Sequence, residues 1–463
     1  MKSFRARTEW HLEDVVITLD ALEEHIPITL QQVCEGIIVM GATGSGKTSG
    51  AHDHLSFAMM SAGYGILALC VKPDEGARIR ALAVKAGRED DVVTLSLDGD
   101  QRYNFLDTLK ESGADAVVTA FEQIAEVLTG VTRQNEWSLA AGQHLRNLVR
   151  LFLLAGKSLQ LSELRLAASN SQLHKALLVD CRLSVAAGSP DEHALKMLEA
   201  YFGREWAAMG DKTRASILMS LTPALDPFCS GPMHTLFCTS TTISPQSIRD
   251  GRILVVDIPC IGERGKYGIA AATIVKYMTQ RMAETYFCNG KSFADHFTRP
   301  VVILADEAHY IATGKDAEFS TTSRSMRASL FYLTQDIHNF WRKGGPAVKS
   351  ETGMLLNNLH GVRLLHQTEC TDTYHWFVNV LGREWSERLG MSAGFNGTHG
   401  SGTAGANLSF TQEFPISKRD VEVGLARGGP DYRYVVTGLL QQAGRLFTGG
   451  RLFSQVAFQQ MTL

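Results

Sequence analysis

The chain has 463 residues, 44% hydrophobic and 20% charged, an ordinary soluble composition with room for a large core and two or three domains. A formal net charge of -3 removes any argument for nucleic-acid binding from overall charge, although a basic channel can sit inside a neutral chain. The eight cysteines form no C-x-x-C pair, which points away from a zinc site or a disulfide frame and toward buried free thiols in a reducing compartment.

Met1 to Glu9 is charged and has no apolar stretch, so it does not read as a secretory signal. No uninterrupted apolar run approaches the roughly 18 residues of a membrane span, and the protein is expected in the cytosol. The first chemical signal follows Ile37-Ile38-Val39-Met40, an apolar run that reads as a buried parallel strand. Gly41-Ala42-Thr43-Gly44-Ser45-Gly46-Lys47-Thr48 then fits the phosphate-binding pattern G-x-x-x-x-G-K-[ST] at every fixed position. A helix can follow from Thr48 to about Met60. Strand, glycine loop and helix start together make an anion site, where inward N–H groups and the helix dipole favour a triphosphate. The candidate nucleotide-binding set is therefore Gly41 through Thr48, with Ser49. Lys47 is expected to reach the β- and γ-phosphates, and the Thr48 hydroxyl to hold Mg2+. His52 and His54, two apart, fall on different sides of the helix and read as structural or solvated.

Further strand-like runs are Gly65 to Val71, Asp91 to Leu97, Ile253 to Ile258, Val301 to Ala305, Ser329 to Thr334 and Val362 to His366. Most are separated by segments that can be helical, which predicts an α/β fold with a mainly parallel central sheet. One long interval, Thr108 to about Thr235, carries helical periodicity instead: Ala114 to Thr129, Ser138 to Ala155, His193 to Ala208 and Thr213 to Leu225. It reads as an all-helical domain, residues 108–235, inserted into a motor domain of residues 36–107 and 236–463. Pro223, Pro227 and Pro232 crowd its exit.

A phosphate loop needs a carboxylate for Mg2+ and a base for water. Val301-Val302-Ile303-Leu304-Ala305 delivers Asp306 and Glu307 to a strand's C-terminal end, where open α/β sheets bind ligands. Asp306 is the candidate metal ligand and Glu307 the candidate base. Adjacent buried acids are costly without a cation. The rival run Ile253 to Asp257 lacks the second carboxylate and runs into a proline. Gln335 ends the next strand, beside the expected γ-phosphate, as a candidate sensor of hydrolysis. Arg324 and Arg327 lie between those two strands as candidates for a cation presented to a neighbouring subunit's nucleotide; a single surface arginine is the blander reading. Gly390 to Ser409, rich in Gly, Ser, Thr and Asn, reads as a flexible loop, either a solvated connector or a pore or substrate loop.

Taken together these residues resemble the FtsK–HerA group of P-loop motors, and within it the TraG/TraD-like type IV coupling proteins of conjugation and type IV secretion. Leu67 to Glu75 is similar to the family's second strand and its D-P-K-G-E element, with Lys72 before the proline as a departure. Tyr103-Asn104-Phe105-Leu106-Asp107 is similar to the N-P-L element, with Phe105 in the proline's place. Glu136-Trp137 resembles the start of the family's Trp helix, and Thr213-Arg214-Ala215-Ser216 falls near the end of the helical domain. The similarity runs patchily from about Gly36 to about Gly382. It implies a RecA-like P-loop NTPase using ATP and Mg2+, assembling as a homo-hexamer that moves DNA or hands substrates to a secretion channel. Relaxase, secretion-channel or membrane partner proteins are implied with it. Family members usually begin with transmembrane helices and this chain has none, so membrane contact is expected only through a partner. Residues 1–35, with Val15 to Leu19 and Ile28 to Leu30, read as a small β element over the nucleotide edge. Two other readings stand beside a coupling protein: a HerA-like translocase paired with a nuclease, and a nucleotide-gated adaptor for protein substrates.

Overall fold

The computed structural model describes residues 7–21, 24–129, 136–289, 295–341, 346–396 and 401–463. The chain opens with a β-hairpin, β1 (Val15–Ala21) and β2 (His25–Thr29), and reaches the phosphate loop through β3 (Ile37–Met40). Helix α1 (Asp53–Ser61), strand β4 (Gly65–Leu69), helix α2 (Glu75–Lys85) and strand β5 (Val92–Leu95) follow. Between Leu95 and Ile253 the described residues form helices and no strand. The longer ones are α3 (Ala114–Thr129), α4 (Glu136–Leu154), α5 (Ser171–Ser184), α6 (Pro190–Ala200) and α7 (Asp211–Leu225). The chain then alternates again: β6 (Ile253–Val256), α8 (Gly265–Cys288), β7 (Val301–Ala305), α9 (Gly314–Thr322), β8 (Ala328–Thr334), α10 (Pro346–Asn358), β9 (Val362–Leu365) and α11 (Thr371–Leu381). It closes with β10 (Glu384–Asn396), β11 (Ser401–Glu413), β12 (Val435–Gln441) and β13 (Ser454–Gln459).

One eleven-stranded sheet has the order β2-β1-β13-β12-β9-β3-β8-β7-β4-β6-β5. From β9 to β5 every pairing is parallel. These strands are short and apolar because both faces are covered. In β3, Ile37 and Val39 pack with Leu55, Met59, Ile79 and Leu82 of α1 and α2. Ile38 and Met40 belong to the other face, whose core runs through α8 into Val117, Phe121 and Leu145 of the helical region. The period of two along a strand thus serves both layers at once.

Two expectations need correction. The N-terminal pair does not lie over the nucleotide edge. It extends the main sheet, with β1 antiparallel to β13. The glycine-rich stretch is no irregular loop: β10 and β11 form an antiparallel ribbon in register from Glu384–Glu413 to Asn396–Ser401. Glycine weakens a strand, but the ladder is built from backbone groups alone. Its register pairs Leu389 with Leu408, Met391 with Ala406 and Ala393 with Ala404. Gly397 and Gly400 lie outside the described residues.

Candidate active site

The strand order puts β8 between the phosphate-loop strand β3 and the acid-bearing strand β7. All three run parallel, so Gly41, Gln335 and Asp306 emerge on one edge of the sheet. Beyond Met40 the loop turns through Gly44 at φ 75° and Gly46 at φ 84°, where L side chains are strained. A Cβ on Gly46 would also stand 2.6 Å from Val436 Cγ2, so the C-terminal strands press directly on the loop. The helix begins with a π turn, Thr48–His52, closed by Gly50 N to Gly46 O at 2.7 Å and His52 N to Lys47 O at 3.0 Å.

Lys47 is buried and donates to its own loop at Ala42 O, 3.3 Å away. Burial lowers its affinity for a proton, while Asp306 and Glu307 oppose that shift. The Ser45 hydroxyl is buried with no hydrogen-bond partner among the described residues. The Ser49 hydroxyl accepts from Gln460 Nε2 at 2.6 Å, which ties the loop to the chain's C-terminal segment. Thr48 Oγ1 donates to Asp306 Oδ2 at 3.1 Å, joining positions 258 residues apart. Asp306 is buried; burial pushes its carboxyl up, but Lys72, His52 and Lys47 together hold it below the usual range. Glu307 follows in the left-handed region at φ 54° and ψ 45°, a strained conformation for a residue with a Cβ. Gln335 Nε2 donates to Glu307 Oε1 at 3.1 Å, and Glu307 Oε2 is buried with no hydrogen-bond partner among the described residues. His309 Nδ1 stands 3.7 Å from Glu307 Oε2 and 3.3 Å from Thr334 Oγ1.

Lys72 is the site residue that its sequence position did not announce. It leaves the end of β4, which pairs with β7, and so arrives beside the two acids. Its Nζ is 3.0 Å from Asp306 Oδ2, 3.4 Å from Glu307 Oε1 and 3.6 Å from Glu75 Oε1. Partial burial disfavours its charge, but Asp306 by charge and hydrogen bond, then Glu307 and Glu75, outweigh that and raise its pKa. Glu75 is pushed up to about 7, first by burial and then by Asp306. Behind these groups Arg78 clamps the fully buried Asp53 with bonds of 2.8 and 2.6 Å, and His52 holds the same carboxylate at 3.0 Å.

The remaining candidates lie elsewhere. Asp257 ends β6, on the far side of β4 from β7, and pairs with Arg80 at 3.1 Å. Arg324 and Arg327 precede β8 and so sit on the opposite edge of the sheet from the phosphate loop. Arg324 is half-exposed and 3.3 Å from Glu35. Arg327 is a correction: it is 2% exposed, at φ 49°, with its guanidinium donating to Trp10 O. A buried, backbone-bound guanidinium is not presented to a neighbour. Among the cysteines, Cys34, Cys70, Cys181, Cys238 and Cys260 are buried as expected, whereas Cys288 is exposed.

Phosphate-loop strand, amide-bearing strand and acid-bearing strand side by side, with an all-helical insertion, define a RecA-like P-loop NTPase fold. No protein-family model and no curated protein matches the sequence. Solved structures do match. The bacterial conjugative coupling protein TrwB, in an unbound form, aligns with a TM-score of 0.60 at 14% identity, over 99% of this chain and 90% of that one. TrwB in complex with ADP and Mg2+ gives 0.60 at 15% identity, over 95% and 88%. VirB4 of Thermoanaerobacter pseudethanolicus gives 0.53 at 12% identity, over 96% of both chains. The chain has the fold of the TrwB coupling protein along almost its whole length. Among the described residues no helix is long and apolar enough to cross a membrane.

Proposed function

We propose that this chain is an ATP-hydrolysing, Mg2+-dependent motor of the coupling-protein type, working as a ring on DNA for a type IV secretion or conjugation channel. One observation carries the nucleotide half of this reading: Thr48, at the end of the phosphate loop, meets Asp306 at 3.1 Å, and Glu307 beside Asp306 accepts from Gln335 at 3.1 Å, the loop, the acids and the amide following three neighbouring parallel strands. The fit to a nucleotide is supported by the buried Ser45 hydroxyl, which has no hydrogen-bond partner among the described residues, and by the loop's positive-φ glycines, which aim backbone N–H groups inward. A hydroxyl and a carboxylate on adjoining elements suit Mg2+, a hard ion that takes one or two carboxylates together with phosphate oxygens. The ammonium of Lys72 already stands beside that carboxylate, as a cation does. TrwB has been solved with ATP and GTP analogues and with ADP and Mg2+, which supports the same cofactors here.

In this reading Thr48 and Asp306 hold Mg2+, which supplies charge neutralisation at the phosphates. Lys47 turns from Ala42 O toward the β- and γ-phosphates. Glu307 takes the proton of the attacking water at Oε2, and Gln335 fixes the carboxylate through Oε1. Of the two arginines, Arg324 is the half-exposed one, paired with Glu35 at 3.3 Å on the opposite edge, and it is the candidate to meet a neighbouring copy. DNA as substrate, the hexamer and relaxase or channel partners rest on the likeness to coupling proteins.

The test is the ATPase rate against single- and double-stranded DNA for wild type and Lys47→Ala, with oligomer mass read in the same buffers. Strong DNA stimulation that vanishes in Lys47→Ala, together with a hexamer, supports the motor. A slow monomeric ATPase indifferent to DNA overturns it in favour of a nucleotide-gated adaptor.

A further inference from the structure

Resting on the P-loop reading, we propose that Lys72 is a tethered counter-ion that holds Asp306 and Glu307 until Mg2+ arrives with nucleotide, and then moves to Glu75. Three observations converge. Asp306 Oδ2 is shared: the Thr48 hydroxyl meets it at 3.1 Å and the Lys72 ammonium at 3.0 Å. A dication held by Thr48 and Asp306 and an ammonium on the same oxygen repel strongly at such range, so one must leave. Lys72 has somewhere to go. Its side chain is 35% exposed, and Glu75 Oε1, 3.6 Å away, is buried with no hydrogen-bond partner among the described residues. Lys72 also pairs with Glu307 at 3.4 Å, through the Oε1 that Gln335 holds, and so sets a positive charge against the candidate base in the resting site.

The arrangement has a function. Buried acids without a cation are costly, and a tethered ammonium neutralises them in the ligand-free chain. The same contact sets a positive charge against Glu307 until nucleotide and metal are both in place. Displacement of Lys72 then couples loading of the site to release of the base. Lys72 is in this sense a positioning residue, acting through Glu307.

Metal affinity tests this without turnover. Mn2+ is titrated, as a spin-active stand-in for Mg2+, onto the full chain purified in EDTA, with and without a non-hydrolysable ATP analogue. Lys72→Met removes the competing charge and keeps the stem, and Mn2+ affinity of the nucleotide-free chain is expected to rise by about tenfold or more. Lys72→Arg is expected to stay close to wild type. In EDTA, Lys72→Met is expected to melt below wild type, and Mn2+ to restore it; unfolding in EDTA with rescue by Mn2+ supports the same conclusion. Glu75→Gln should weaken Mn2+ binding in the wild-type background and leave it unchanged in Lys72→Met. Equal weakening in both backgrounds makes Glu75 a direct metal ligand and removes the second seat. Mn2+ affinity in Lys72→Met no tighter than in wild type overturns the proposal, while intact analogue binding in that same titration leaves the nucleotide reading standing. Failure of wild type to bind the analogue removes that reading, and the proposal with it.

Discussion

Replacing Glu307 by Gln separates binding from chemistry at this site. The change is nearly isosteric. Gln335 Nε2, now 3.1 Å from a carboxylate oxygen, can still donate to the amide oxygen. What is lost is a proton acceptor and one of the negative charges clustered around Lys72. A positioned general base contributes about 100- to 10,000-fold, so turnover should fall by that factor, or about 3–5 kcal/mol of activation free energy. Nucleotide affinity should hold or tighten slightly, because Lys47 and the loop are untouched and a repulsive charge near the phosphates is gone. Stability should move by less than about 1 kcal/mol, since the Lys72 partner is 35% exposed and screened by water. The assays are phosphate release in single and multiple turnover, equilibrium binding of a non-hydrolysable analogue, and denaturant melts. Turnover near the wild-type rate would refute the assignment of the base. A fall in turnover matched by an equal loss of binding would refute it differently, by making Glu307 a structural support for the loop.

Other outcomes follow from the same geometry. Gly46→Ala meets a positive φ of 84°, Val436 at 2.6 Å and the Arg427 carbonyl oxygen at 2.8 Å, so it should cost about 2–5 kcal/mol and abolish nucleotide binding; Val436→Ala should recover only the share of the clash that Val436 contributes. Arg78→Met strips the bidentate partner from Asp53, which is 0% exposed, and should lower stability by about 3 kcal/mol in denaturant melts, with Asp53→Asn in the same chain recovering part of it. His144, stacked on Trp206 at 3.8 Å, is pushed down from 6.5 to about 4 by burial. The unfolded chain therefore binds protons first, and stability is complete above pH 6.5 and lost as pH falls toward 4. At pH 5 the loss should be about 2 kcal/mol relative to pH 7, and His144→Gln should flatten that slope; an equal slope in both proteins would sink the assignment.

The local half of the site was legible because it is contiguous. Strand, loop and helix start lie within Ile37 to Met60, and the loop's chemistry demands particular residues at fixed spacing. Asp306 and Glu307 were legible for a similar reason, as a buried apolar strand ending in adjacent acids. The inserted helices announced themselves through a change of period from two to 3.6. The β10–β11 ribbon was hidden by its glycines, although Leu389, Met391, Ala393 and Phe395 alternate along the sequence. The burial of Arg327 was not legible: no pattern around it says that the start of β8 turns inward against Trp10. Lys72 is the instructive case. In the sequence it is only a departure from a resembled motif, 234 residues from Asp306. Its meaning depends on β4 pairing with β7, and sheet order is set by which crossovers bury the most apolar surface, not by any local spacing. A charge placed at a strand end acquires a role only when the neighbouring strand is known, so a departure from a motif at such an end is best read as a change in what the next strand's residues require.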